Sequence, residues 1–193
     1  MVLTPSTMLP LGTPVPGFTL PDLDGAMVSP DDFRAAPALL VAFICHHCPF
    51  VTHIRQGFAR FAAEYQPRGL AIVAINSNDV NAFPEDGPKG MQQESAAAGY
   101  RFPYLFDETQ EVAKSFRAAC TPDLYLFDGD RKLVYRGRFD DSRPRTHPPM
   151  PVTGRDIRAA VDAVMSGQPV SPDQRGSVGC NIKWKPGNAP GYF

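Results

Sequence analysis

The apolar positions along the chain change period several times, and each change predicts an element. Ala38 to Ile44 is an unbroken apolar run of strand length, the pattern of a strand buried on both faces. From Pro49 the period becomes helical. Val51, Ile54, Phe58, Phe61 and Tyr65 recur on one face until Pro67 and Gly69 end the run. Leu70 to Ile75 repeats the buried-strand pattern. Gly90 to Ala98 reads as a helix closed by Gly99, Tyr104 to Phe106 as a short strand, and Glu111 to Phe116 as a short helix. Two hairpins are marked by their turns. Phe18–Leu20 and Ala26–Val28 flank Asp22-Leu23-Asp24-Gly25, and Leu124–Phe127 and Leu133–Gly137 flank Asp128-Gly129-Asp130. Thr153 is placed to cap a last helix reaching Met165, with Ile157, Val161 and Val164 on its apolar face.

The predicted order is therefore β-hairpin, βαβ, α, βα, ββ, α and a tail. Strands alternating with helices predict an α/β fold with a sheet covered on both faces, and the closing antiparallel hairpin makes that sheet mixed. One domain is expected over residues 1–167, with its N-terminal hairpin at 10–30, followed by a tail at 168–193. Val178, Ile182, Trp184 and Phe193 give the tail apolar groups, so it is expected to pack back on the domain. The 21 prolines cluster near both ends and in Arg143 to Pro151, where aromatic and apolar residues among them favour ordered loops over linkers.

Composition narrows the function. Of the 193 residues, 43% are hydrophobic and 20% charged, as in ordinary soluble proteins. A net charge of −1 gives no broad attraction to nucleic acid or an anionic membrane. No apolar run is long enough to span a bilayer. Met1-Val2-Leu3-Thr4-Pro5-Ser6 carries neither a basic nor an apolar leader segment, so the expected location is cytoplasmic. Four cysteines are too few for a disulfide scaffold, and in a reducing compartment they point to catalysis or metal binding. Arg131-Lys132 and Arg136 to Arg138 read as a solvated strand face, and Arg143 to His147 as a solvated loop.

The candidate chemistry is Cys45-His46-His47-Cys48, between the first buried strand and the long helix. The thiolate is the reactive form of cysteine, and it needs a lowered pKa. A helix N-terminus supplies unpaired N–H groups and the positive end of a dipole. This reading places Cys45 there as attacking thiol, and Cys48, one turn further in and less exposed, as resolving thiol. His46 and His47 can stabilise the thiolate when protonated, with one of them expected to face solvent. His53 reads as a surface or packing residue. A c-type haem site needs His at position 49, which is Pro. Cys45, Cys48, Cys120 and a histidine could form a zinc set, but a single Cys-X-X-Cys is a weak signal, and no metal is expected. Cys180, in the tail, reads as a remote resolving thiol or a simple buried or exposed one.

Strand, Cys-X-X-Cys, helix and a later Thr121-Pro122 ahead of Asp123-Leu124-Tyr125-Leu126-Phe127 resemble the layout of thioredoxin-like proteins. Several further stretches are similar to the bacterial peroxiredoxin-like subgroup, of the alkyl hydroperoxide reductase and thiol-specific antioxidant type. They are Gly12 to Leu20, Phe102 to Asp107, Val112 to Phe116, Cys120-Thr121-Pro122-Asp123 and Gly179 to Asn188. The resemblance implies a thioredoxin fold with Pro122 cis and its loop against the redox pair. Cys120 would then face that pair as a third thiol, or pack as a small buried residue. It implies a thiol–disulfide oxidoreductase without a cofactor. Its partners would be a protein or small-molecule disulfide and a thiol reductant such as a thioredoxin or glutathione system. A thiol peroxidase and a metal-binding or redox-sensing thiol protein are the alternatives. Peroxidase chemistry is weakened by Ala42, which stands where peroxiredoxins carry Thr three residues before the reactive cysteine. Ile44 and His46-His47 replace the Trp and Gly-Pro of thioredoxins, and Leu39 to Ile44 holds no equivalent of the thioredoxin buried Asp.

Overall fold

The protein is described by a computed structural model covering residues 3–192. In chain order its strands and helices begin with β1 (Leu3–Pro5), β2 (Leu20–Pro21), β3 (Met27–Val28), β4 (Ala38–Phe43) and α1 (Pro49–Tyr65). There follow β5 (Leu70–Asn76), α2 (Pro88–Ala98), β6 (Tyr104–Phe106), α3 (Glu111–Ser115) and β7 (Cys120–Thr121). The chain ends with β8 (Asp123–Phe127), β9 (Leu133–Gly137), α4 (Arg155–Met165) and β10 (Val178–Asn181).

The apolar run at Ala38 becomes the centre of a mixed five-stranded sheet in the order β6-β5-β4-β8-β9. Strand β4 runs parallel to β5 and antiparallel to β8. Its side chains alternate between two cores, which is why the whole run is apolar. Ala38, Leu40 and Ala42 join α1 and α4 through Phe58, Phe61, Ile157 and Val161. Leu39, Val41 and Phe43 face Phe18, Val112, Ala113 and Phe116 on the other side. Phe58 centres the first core, its ring 5.6–6.1 Å from those of Phe61, Tyr100, Phe102 and Phe139. Burying each such side chain contributes about 1.5–3 kcal/mol, so the strand-to-helix junction between β4 and α1 is anchored on both sides.

Helix boundaries follow local chemistry with two differences. Helix α2 starts two residues earlier than its apolar pattern suggests, because Pro88 occupies the first turn, where no N–H partner is lost. Helix α4 is capped at Gly154, in the left-handed region at φ 65°, and not at Thr153. The Asp140 carboxylate accepts both the Thr153 and Gly154 N–H groups, at 2.7 and 2.6 Å, and supplies the cap from outside the helix.

The tail does return to the domain, as part of a second sheet with the order β1-β10-β7. Its strands have two to four residues, too short for any period to show. Phe193, expected to help pack the tail, lies outside the described residues. The arginines read as a solvated face hold loops instead. Arg131 donates to the carbonyls of Phe33 and Ala36, Arg136 to that of Leu9, and Arg138 pairs with Asp156. Among the described residues no helix is long and apolar enough to cross a membrane.

Candidate thiol site

Residues 44–48 link the end of β4 to α1. The N-cap of α1 is Cys48, in extended conformation, with Pro49 at the first helical position. Cys48, and not Cys45, therefore sits at the helix N-terminus, while Cys45 lies three residues earlier at the mouth of the sheet. The expected contrast in exposure is absent, since both side chains are at 0%. Strand pairing brings the Thr121-Pro122 segment against them, and its peptide bond is cis. Thr121 touches both sulfurs. Its hydroxyl lies 3.4 Å from Cys45 Sγ, and its carbonyl oxygen lies 3.2 Å from Cys48 Sγ, which donates to it when protonated.

A third thiol joins this pair. Register sets Cys180 of β10 opposite Thr121, and its side chain lies in the same buried cluster as those of Cys45 and Cys48. Donation from Cys180, then from Cys45, holds the Cys48 thiol far below its ordinary pKa despite burial. The same contacts push the other two up. Bonding to Cys48, burial and the Asp86 charge raise Cys45, and bonding to Cys48 with burial raises Cys180. The titration therefore belongs to the three thiols together, with Cys48 the one most readily ionised. Cys120 is placed differently. Its thiol donates to the Pro122 carbonyl at 3.8 Å, and burial, then the Asp123 charge, push its pKa up. Asp123, itself fully buried, is pushed up to about 7 by desolvation.

Both histidines turn toward buried carboxylates, where one was expected to face solvent. Asp86 accepts the backbone N–H of His47 at 3.1 Å and pairs with His47 Nδ1. Asn78 Nδ2 donates to the same carboxylate at 2.7 Å. The His47 ring stacks on Phe83 with centroids 5.3 Å apart. The Asp86 bond raises the His47 pKa above its ordinary value. Burial pushes Asp86 up, but the bonds from His47 and Asn78 outweigh it, and the carboxyl ends below its usual range. His46 Nδ1 lies 3.4 Å from Glu94 Oε2, a carboxylate that also holds Arg55. His53, expected to be a surface or packing residue, meets Ser142 Oγ at 3.0 Å.

Donor atoms of Cys45, His47 and Asp86 lie within 4.8 Å of one another and could together hold a cation. This set differs from the thiol and imidazole set weighed from sequence, where no metal was expected, and both Asp86 oxygens are already engaged. A cavity of about 540 Å³ between α1 and the end of α2, lined by Gln56, Arg60, Ala63 and Arg101, touches none of the thiols. A narrow cleft beside Pro122 is lined by Phe50, His53, Ile54, Phe139 and Val178 and, like that cavity, by none of the thiols. Sequence reasoning missed Asp86 and Glu94, which lie in or near a Pro- and Gly-rich turn and read as solvated. It also missed that Cys48 caps the helix, although Pro49 directly after it is the signal for that.

Comparison with known proteins bears on the family and the fold. A solved structure of an uncharacterized conserved protein from Geobacillus kaustophilus is 51% identical, with a TM-score of 0.93 over 96% of this chain and 98% of that one. Peroxiredoxin Q, chloroplastic, of Suaeda salsa is 26% identical over 143 residues, 68% of this chain and 62% of that protein. The thioredoxin domain of thiol-disulfide oxidoreductase BVU-2223 from Bacteroides vulgatus is 19% identical with a TM-score of 0.59, over 69% of this chain and 91% of that one, and shares the fold. The sheet order and its flanking helices are those of a thioredoxin fold. Residues 11–136 match the model of the AhpC/TSA family, and the chain belongs to that family.

Proposed function

We propose that the protein is a thiol–disulfide oxidoreductase whose working dithiol is Cys45 and Cys48. The observation that carries this is Thr121, whose hydroxyl and carbonyl reach the two sulfurs from a separate strand. In the reduced protein ionisation is easier at Cys48 than at Cys45. Transfer of the Cys45 proton to the Cys48 thiolate makes Cys45 the thiolate. His47, whose pKa the Asp86 bond raises, has its imidazole within 4.8 Å of the Cys45 sulfur and balances negative charge there when protonated. The Cys45 thiolate attacks one sulfur of a substrate disulfide, forming a mixed disulfide and releasing one substrate thiolate, which takes up a proton. Cys48, once ionised, attacks Cys45 Sγ, so that the Cys45–Cys48 bond forms and the second substrate thiol leaves. Two electrons pass from the dithiol to the substrate. An external thiol reductant of the thioredoxin or glutathione class, working in the cytoplasm, reverses the last steps. Because both sulfurs are covered, the His46-His47 loop shifts to admit the substrate. Pro122, with no backbone N–H of its own to pair, stands next to Thr121 beside the pair and keeps the substrate chain there. Cys45→Ser abolishes reduction of insulin disulfides by dithiothreitol-coupled assay, and full activity in that variant overturns the assignment.

Family membership and the likeness to Peroxiredoxin Q favour a second reading, a thiol peroxidase. Against it, position 42 is a buried Ala facing the α1 core, and the hydroxyl beside Cys45 comes from Thr121 instead. This reading predicts rapid peroxide turnover through a Cys45 sulfenic acid. Turnover no faster than that of a free thiol rejects it.

A further inference from the structure

Strand β10 lies between β1 and β7, so Cys180 is held by sheet pairing on both sides, opposite Leu3 and Thr121. Thr121 is the residue that already touches both sulfurs of the pair. The Cys180 side chain is buried in the same apolar cluster as Cys45 and Cys48, and Thr121, opposite it in register, carries the carbonyl that lies 3.2 Å from Cys48 Sγ. Its approach depends on the residue before it, because a Cβ on Gly179 would overlap the Thr121 carbonyl. Hydrogen bonds from the Ser6 N–H to the Ser177 carbonyl at 2.8 Å, and from the Ser177 hydroxyl to Gly137, fix the entry to the strand. The thiol beside Cys48 is therefore built into the second sheet. Cys120, by contrast, points to the Pro122 carbonyl.

We propose that Cys180 is a third redox thiol that exchanges with Cys48, so that the disulfide moves between Cys45–Cys48 and Cys48–Cys180. This rests on the reading of Cys45 and Cys48 as the working pair. Ionised Cys180 attacks Cys48 Sγ in the Cys45–Cys48 disulfide. The Cys48–Cys180 bond forms, the Cys45–Cys48 bond breaks, and Cys45 leaves as a thiolate that takes the proton Cys180 gave up. No electrons are gained or lost in this exchange. The two sulfurs, buried in one cluster beside Thr121, close to about 2.05 Å. The result is an oxidised protein with Cys45 free again, its oxidising equivalent stored beneath the tail strand. Cys45 can then open a second disulfide, forming a mixed disulfide and releasing one thiolate, and an external thiol resolves it.

The test maps disulfides. The Cys45→Ser, Cys120→Ser double variant is treated with diamide, which accepts the two electrons and two protons released by two thiols. Remaining thiols are then alkylated and the protein digested without reduction. Mass spectrometry is expected to find Cys48 and Cys180 linked in most chains. Both thiols alkylated in a variant that stays folded by circular dichroism overturns the inference. Wild-type protein, equilibrated across ratios of reduced and oxidised glutathione and acid-quenched, gives a second measurement free of folding effects. It is expected to show Cys48–Cys180 alongside Cys45–Cys48, with Cys45 alkylated in proportion to the former. Cys45–Cys48 alone at every ratio overturns the inference and leaves the working pair standing. Cys48–Cys180 without any Cys45–Cys48 overturns the working pair instead, and neither disulfide overturns both.

Discussion

Replacing Asp86 by Asn tests the polar support of the thiol loop. The wild-type carboxylate is fully buried and accepts from the His47 N–H, from His47 Nδ1 and from Asn78 Nδ2. An amide keeps one acceptor for the His47 N–H but turns an NH₂ toward Asn78 Nδ2 and the imidazole. His47 must then become neutral with Nδ1 as acceptor, and the Asn78 donor is left unpaired. Losing a charge-assisted bond costs about 1.5–3 kcal/mol, and an orphaned buried donor about 1–3 kcal/mol. A total of about 3 kcal/mol is expected near pH 5.5, or about 6–12 °C in melting temperature for a domain of this size. The pH profile is specific. Asp86 has a lowered folded pKa, so its contribution is present above about pH 4 and is lost as pH falls through the folded value. His47 has a raised folded pKa, so its contribution is complete below about pH 6.5 and is lost as pH rises through the folded value. The two overlap between about pH 4 and 6.5, where the variant loses most, and the gap narrows by about 1–2 kcal/mol toward pH 9 as the charge-assisted part disappears. Melting curves of both proteins at several pH values, with NMR titration of the His47 ring, measure this. Equal His47 titration in both proteins, or a pH-independent gap, refutes the reasoning.

Two further outcomes follow from the packing. Gly179→Ala pushes the tail strand off the Thr121 carbonyl and loses about 1–3 kcal/mol, with faster alkylation of Cys180; unchanged melting and alkylation reject that close approach. Asp123→Asn flattens the acid side of the stability profile. A buried carboxyl raised to about 7 binds its proton more tightly when folded, so the wild type loses up to roughly 4 kcal/mol between pH 4 and 7 that the variant keeps. Parallel profiles by chemical denaturation contradict the placement of Asp123.

How much of this was legible beforehand depends on where each instruction lies in the chain. Strand β4 and helix α1 are written locally, in an unbroken apolar run followed by Val51, Ile54, Phe58 and Phe61 at helical spacing, and the structure forms both. The cap of α4 is not local, because Asp140 supplies it and displaces the role expected of Thr153. The second sheet is assembled from strands too short to carry a period, so the position of Cys180 against Cys48 exists only in the register of β10 with β7. Within the site, Cys45, Cys48 and Thr121-Pro122 were legible from spacing and family resemblance. Asp86 was not, since a carboxylate between Glu85 and Gly87 reads as a solvated turn until folding closes Asn76, Asn78 and His47 over it.

The central claim is that Cys45 attacks and Cys48 resolves. Removing the resolving thiol should halt the reaction at its intermediate, so Cys48→Ser incubated with oxidised glutathione is the most direct measurement. Intact-mass and peptide analysis are expected to show one glutathione bound per chain at Cys45, with no such adduct at Cys48 in the reciprocal Cys45→Ser variant. An adduct that forms at Cys48 but not at Cys45, or at neither, contradicts the account.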